Sequence, residues 1–192
     1  AWPKVKDDML SSGYKSIAIP GTVAGLSRAL EEWGTISLSD ALQPAIKLAE
    51  EGFAVGAHFT LSTVARRELF MRFPATTEIY YPDGYPIPVG GKLIQKQHAA
   101  TLRTLASGGA DAFYKGEIAE KISGDVQANG GLLEVSDFAQ YTPFLHRHGI
   151  LGEYRGYEVM GLPGPTSGPT VMETLNILST FELNGTNHGD PA

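Results

Sequence analysis

The sequence predicts an α+β chain, mainly helical, that closes with a β-hairpin, a rigid turn and a last helix. Three observations carry that expectation. Apolar residues recur at helical spacing through most of the region from about 16 to 145, and the period switches towards two between His146 and Leu162. The 23 Gly and 12 Pro punctuate these segments and form no low-complexity tract. Residues 1–192 then read as one partial domain: a helical region to about 145, followed by hairpin, turn and helix over about 146–192.

After Pro20-Gly21, the residues Val23, Leu26, Leu30 and Trp33 share a stripe and Gly34 stops it, so a helix starts near Thr22. Ser39 is expected to cap a second helix in which Leu42, Ile46 and Ala49 share a face and Gly52 supplies the left-handed stop. The two resemble an αα-hairpin. A third stretch, about Ala57 to Met71, is expected to turn Leu61, Val64 and Ala65 inward and Arg66, Arg67 and Glu68 outward, with Pro74 ending it.

From Tyr80 to Gly91 three Pro remove donors and three Gly free the backbone, which suits an ordered loop. Ala99, Leu102, Leu105 and Ala106 mark a helix ended by Gly108-Gly109, and Ile118, Ile122 and Val126 mark another ended before Gly130-Gly131. Then Tyr157, Val159 and Gly161 alternate with Glu158 and Met160, and Arg155-Gly156 can turn the chain into a hairpin. Pro163 to Pro169 follows as a rigid turn, after which Val171, Leu175, Leu178 and Glu182 trace a helix with Thr170 near its start.

Composition narrows the function. Fifteen Lys+Arg against 21 Asp+Glu leave a net charge of −6, without the basic patch that nucleic acid requires. With no Cys, a disulfide framework, a thiolate zinc site and a cysteine nucleophile are excluded. No apolar run approaches the roughly 20 residues that cross a bilayer, so no transmembrane segment is expected in this chain. Neither phosphate-loop pattern occurs, and nothing suggests a cofactor. The first residues carry neither a start methionine nor an element boundary, and read as the interior of a longer chain.

The best local candidates for chemistry are Thr166, Ser167 and Gly168, where two hydroxyls meet backbone N–H groups at a helix start able to hold an anion or a developing oxyanion. The plainer reading is that these hydroxyls cap the helix and fix the turn. His146 and His148 would share one side of a strand, but no third ligand completes a metal set, so none is expected. His58 and His98 lie in helical segments and read as surface or hydrogen-bonded residues. Asp111, Asp125 and Asp137 fall near helix ends, where a carboxylate suits the dipole without catalysis. Asn184-Gly185-Thr186 satisfies the glycosylation sequon, a short pattern common by chance.

Several phrases go further. Ile19-Pro20-Gly21-Thr22-Val23-Ala24-Gly25-Leu26, Trp33-Gly34-Thr35-Ile36 and Leu42-Gln43-Pro44-Ala45-Ile46-Lys47-Leu48-Ala49-Glu50-Glu51-Gly52-Phe53 resemble the large subunit of γ-glutamyltranspeptidases. Ala99 to Leu102, Asp111 to Ala119, Asn129 to Leu133, Asp137 to Tyr141, Tyr154 to Val159 and Leu175 to Leu178 continue the family's blocks in order. The resemblance spans Ser16 to Leu183.

It implies a segment of the αββα sandwich of N-terminal-nucleophile hydrolases. In these a precursor cleaves itself, and a Thr exposed at a new N-terminus attacks a γ-glutamyl amide such as glutathione. That Thr opens a small subunit, the implied partner, downstream of the Leu-Asn-Ile-Leu block. The glutamyl-binding Arg lies upstream of the Pro-Gly-Thr block. No catalytic residue is therefore expected in this chain, and the chain alone is expected to be inactive.

The family's Pro-Pro-Pro-Ser-Ser-Gly-Gly turn corresponds to Pro163 to Pro169, with Gly164, Thr166 and Pro169 as departures. These leave open another acyl amide as substrate, or a non-catalytic binding or scaffold protein on the same fold. Kinship implies export, to a periplasm or out of the cell.

Overall fold

The computed structural model describes residues 6, 9–145, 149–182 and 185. They fall into two compact units, Ala1–Pro143 and Phe144–Ala192.

The first unit is built on helices. Helix α1 (Thr22–Trp33) follows the Pro20-Gly21 turn, and α2 (Leu38–Glu51) is capped by Ser37, whose hydroxyl accepts from the Asp40 N–H at 3.0 Å. Ser39, the expected cap, lies inside the helix. Ser37 holds an extended backbone (φ −72°, ψ 156°), the conformation a capping residue needs. Gly52 ends α2 at φ 76°, as its position predicts.

The expected third helix, about Ala57 to Met71, is two pieces, and a further helix follows it. α3 (Ala57–Ala65) and α4 (Arg67–Phe70) meet at Arg66, and α5 (Pro74–Tyr80) begins at Pro74. Pro74 thus opens a helix rather than closing one, because its missing N–H is harmless in a first turn. The expected inward face is also corrected: Leu61, Val64 and Ala65 are exposed, and α3 buries Thr63 instead. The Thr63 hydroxyl donates back to the Phe59 and Thr60 carbonyls, so it enters the interior with its polar atom engaged.

Two-residue strands β1 (Phe53–Ala54) and β2 (Lys92–Leu93) pair antiparallel and close this excursion at its base. The loop between α5 and β2 carries a 3₁₀ turn at Pro82–Gly84. A small cluster of Val55, Ile87 and Leu93, with Phe59 and Tyr80 against it, fills the space above the strands.

Helix α6 (Lys96–Tyr114) packs along α2. Its first segment ends at Gly108-Gly109 as expected: Gly109 takes φ 65° and ψ −164°, which only glycine adopts cheaply, and a second, short helical segment follows it. That break turns Phe113 and Tyr114 inward. With α7 (Glu117–Ala128) and α8 (Val135–Gln140) they build the main core of Ala24, Leu105, Phe113, Tyr114, Ala119 and Phe138.

In the second unit, β3 (Ile150–Tyr154) and β4 (Tyr157–Gly161) form the expected hairpin, and α9 (Gly168–Leu178) packs on it. Arg155 and Gly156 take φ 52° and 83°, the pair of positive values of the tight turn that matches strand twist. Register places Leu151 opposite Met160 and Glu153 opposite Glu158. The fold is α+β and mainly helical.

Candidate functional site

The turn from hairpin to helix is held by its own hydroxyl. Thr166 Oγ1 donates to the Leu162 carbonyl at 2.7 Å and accepts from the Gly168 N–H at 3.2 Å, while the Thr166 N–H donates to the Gly164 carbonyl at 2.8 Å. Gly164 supplies the left-handed residue, at φ 76°. Gly168 packs against Leu162 so closely that a Cβ would run into its carbonyl oxygen. Ser167 stands at the N-cap of α9 with its side chain exposed and making no capping bond. Pro169, second in the helix, has no N–H.

The three candidates are therefore together, with different tasks. The Thr166 hydroxyl ties the turn, Gly168 lets the helix start approach the strand exit, and Ser167 presents a hydroxyl to solvent.

Elsewhere the candidates are dispersed. His58 lies 3.5 Å from the Ser62 hydroxyl on an exposed face of α3. His98, in the first turn of α6, lines a cleft of about 460 Å³ with Glu78, Lys92 and Lys96. Asp137 belongs to a capping box at the start of α8, accepting from the Glu134 N–H at 2.8 Å, the role its position suggests.

Asp111 follows the Gly109 break, near the start of the second segment of α6, and pairs with Lys115 at 2.9 Å. Asp125 departs from the dipole argument, since it lies in the last turn of α7, the end a carboxylate disfavours. Its carboxylate accepts from the Asn129 side chain at 3.3 Å.

His146, His148, Asn184 and Thr186 lie outside the described residues. Among the described residues, no three His, Cys, Asp or Glu are grouped to hold a metal, and no helix is long and apolar enough to cross a membrane.

A feature without local sequence signal surrounds Pro20-Gly21. The buried Tyr114 hydroxyl donates to the Pro20 carbonyl at 2.6 Å and accepts from the Ala24 N–H at 3.1 Å, spanning the entry to α1. Burial raises the Tyr114 pKa above its ordinary value. On the exposed side of α7, the Lys121 ammonium hydrogen-bonds Glu117 at 2.6 Å and lowers that carboxyl's pKa.

Comparison with known proteins places these elements. The family model described as gamma-glutamyltranspeptidase matches residues 3–192. The chain belongs to the γ-glutamyltranspeptidase family. The glutathione hydrolase proenzyme of Escherichia coli (strain K12) is 41% identical over 167 residues, which cover 85% of this chain and 28% of that protein. The Acylase ACY 1 proenzyme of Pseudomonas sp. (strain SE83) is 37% identical over 178 residues, covering 92% and 32%.

The crystal structure of the Helicobacter pylori γ-glutamyltranspeptidase superposes with a TM-score of 0.88 at 33% identity, over 97% of this chain and 54% of that one. The mainly helical α+β architecture is thus that of γ-glutamyltranspeptidases. The chain spans about a third of the length of the curated relatives it matches.

Proposed function

We propose that this chain is part of the large subunit of a self-processing amidohydrolase and acyltransferase acting on γ-glutamyl amides such as glutathione. The observation that carries the reading is the family match over residues 3–192, together with 41% identity to a glutathione hydrolase proenzyme. The nucleophile in this reading is a Thr outside the 192 residues, exposed when the precursor cleaves itself and opening a small partner subunit. Its hydroxyl attacks the amide carbonyl, its own α-amine takes the proton, and backbone N–H groups hold the oxyanion. Water or an amine then accepts the acyl group. This chain alone has no activity, and the full protein works in a periplasm or outside the cell.

A second reading keeps the mechanism and changes the acyl group. It is favoured by the 37% identity to an acylase proenzyme and by Gly164, Thr166 and Pro169 in the Pro163 to Pro169 turn.

The test is the intact mass and N-terminal sequence of every chain made from the complete gene. Two chains, the second starting with Thr, are expected. Hydrolysis of γ-glutamyl-p-nitroanilide by the processed protein supports the first reading, and turnover only of other acyl amides supports the second. A single uncut chain without turnover overturns both and leaves the binding or scaffold alternative.

A further inference from the structure

The helix α7 ends at an Asn-Gly dipeptide, Asn129-Gly130, exposed to solvent. In a mobile chain this is the pair most prone to self-modification, because glycine leaves its own nitrogen unhindered. The Gly130 backbone nitrogen attacks Asn129 Cγ, its proton passes through water to the departing amide nitrogen, the Cγ–Nδ2 bond breaks and ammonia leaves. Water then opens the succinimide at either carbonyl, giving aspartate or isoaspartate.

Here the fold restrains each participant. The leaving amide is held, with Asn129 Nδ2 donating to the Asp125 carbonyl at 2.9 Å and to its carboxylate at 3.3 Å. The attacking nitrogen is held too, the Gly130 N–H donating to the Gln127 carbonyl at 3.0 Å. A ψ of 18° at Asn129 directs the Gly130 nitrogen away from its side chain, whereas ring closure needs them on the same side of the Cα–C bond. Gly131 locks the turn: its N–H donates to the Val126 carbonyl at 2.8 Å, and a Cβ there would lie 2.7 Å from the Tyr14 carbonyl oxygen.

We propose that Asn129 is a deamidation site gated by the folded end of α7, shielded while the last turn is wound and converted when it frays. The step is one-way and removes its own gate. A carboxylate at position 129 accepts hydrogen bonds and donates none, so both side-chain bonds to Asp125 are lost and only the backbone N–H bond to its carbonyl, at 3.2 Å, remains. It also stands one turn from the Asp125 carboxylate at the negative end of the helix. Conversion therefore unwinds the end of α7 and loosens its contact with the turn at Tyr14.

The test uses the full-length protein, incubated in mildly alkaline buffer with and without denaturant and followed by peptide mass mapping. Conversion at Asn129 is expected to be at least about tenfold slower in the native protein, the margin set by the free energy of local opening. In parallel, Asn129→Asp is expected to speed hydrogen exchange at Gly130 and Gly131, leaving exchange in α2 unchanged. Equal rates with and without denaturant overturn the gate, as does a denatured chain that does not convert. Unchanged exchange in Asn129→Asp overturns the loss of the helix end.

Discussion

Tyr141 stacks on Tyr114 with ring centroids 5.4 Å apart and ring planes at 17°. The pair closes over the Pro20-Gly21 turn, Tyr114 by its hydroxyl and Tyr141 by lying against Gly21, where a Cβ would displace the Tyr141 hydroxyl. Residues some ninety positions or more down the chain thereby set how α1 begins.

Tyr114→Phe removes a donor to the part-buried Pro20 carbonyl and an acceptor for the buried Ala24 N–H. The expected loss is about 1–3 kcal/mol in the denaturant-unfolding free energy of the full-length protein. The same variant tests a pH effect. Burial raises the folded-state pKa above the ordinary 10.0, so this contribution is whole below that value and disappears as pH rises through the folded-state one. Tyr114→Phe should flatten that alkaline limb of the stability curve.

Gly21→Ala drives a methyl group into the Tyr141 hydroxyl and should cost about 1–3 kcal/mol by overpacking. Adding Tyr141→Phe takes away the obstructing oxygen. Partial recovery in the double variant is the expected sign of coupling, and strictly additive losses would place the strain elsewhere.

Two glycines of the second unit should respond unequally. A Cβ at Gly152 meets the terminal methyl of Met172, a flexible group that can move, whereas a Cβ at Gly168 meets the Leu162 backbone carbonyl, which cannot. Gly152→Ala is therefore expected to be mild, and Gly168→Ala to lower the melting temperature of the full-length protein distinctly more.

Lys121→Met should return the Glu117 carboxyl to the ordinary range, since the Lys121 hydrogen bond is the foremost cause of its lowered pKa. Because the folded-state value is the lower one, what the pair adds to stability is present above the unfolded-state pKa and lost as pH falls through the folded-state one. The pair is solvent-exposed, so the effect should shrink with added salt, and carboxyl NMR titration of wild type and variant reads it directly.

What sequence reasoning recovered and missed divides along physical lines. Gly52 and the Arg155-Gly156 turn were legible because left-handed backbone restricts which residues can occupy a position. Pro74 was ambiguous: a proline both discourages the helix before it and suits the first turn of the one after it. Strands of two residues, Phe53–Ala54 and Lys92–Leu93, are too short to show any period.

The inward face of α3 was misjudged because nothing in hydrophobic spacing says that a threonine can turn its hydroxyl onto its own helix and take the buried place. At the candidate site, the sequence located Thr166, Ser167 and Gly168 as a group. Which hydroxyl closes the turn and which stays outside depends on the Leu162 carbonyl, whose position only the folded hairpin sets. The work of Tyr114 depends on a backbone turn ninety-four residues away, which no local pattern reports.

The clip of Phe53 on Leu93 and Ala54 on Lys92 has an evolutionary consequence. The segment between those strands leaves and re-enters the α2–α6 pair at one fixed point. Ring-closure entropy grows slowly, roughly 0.6 kcal/mol for each doubling of length, so lengthening or trimming the exposed tip near Asp83 to Tyr85 disturbs the scaffold little. The tip is therefore the place where the framework can best tolerate an insertion or a deletion.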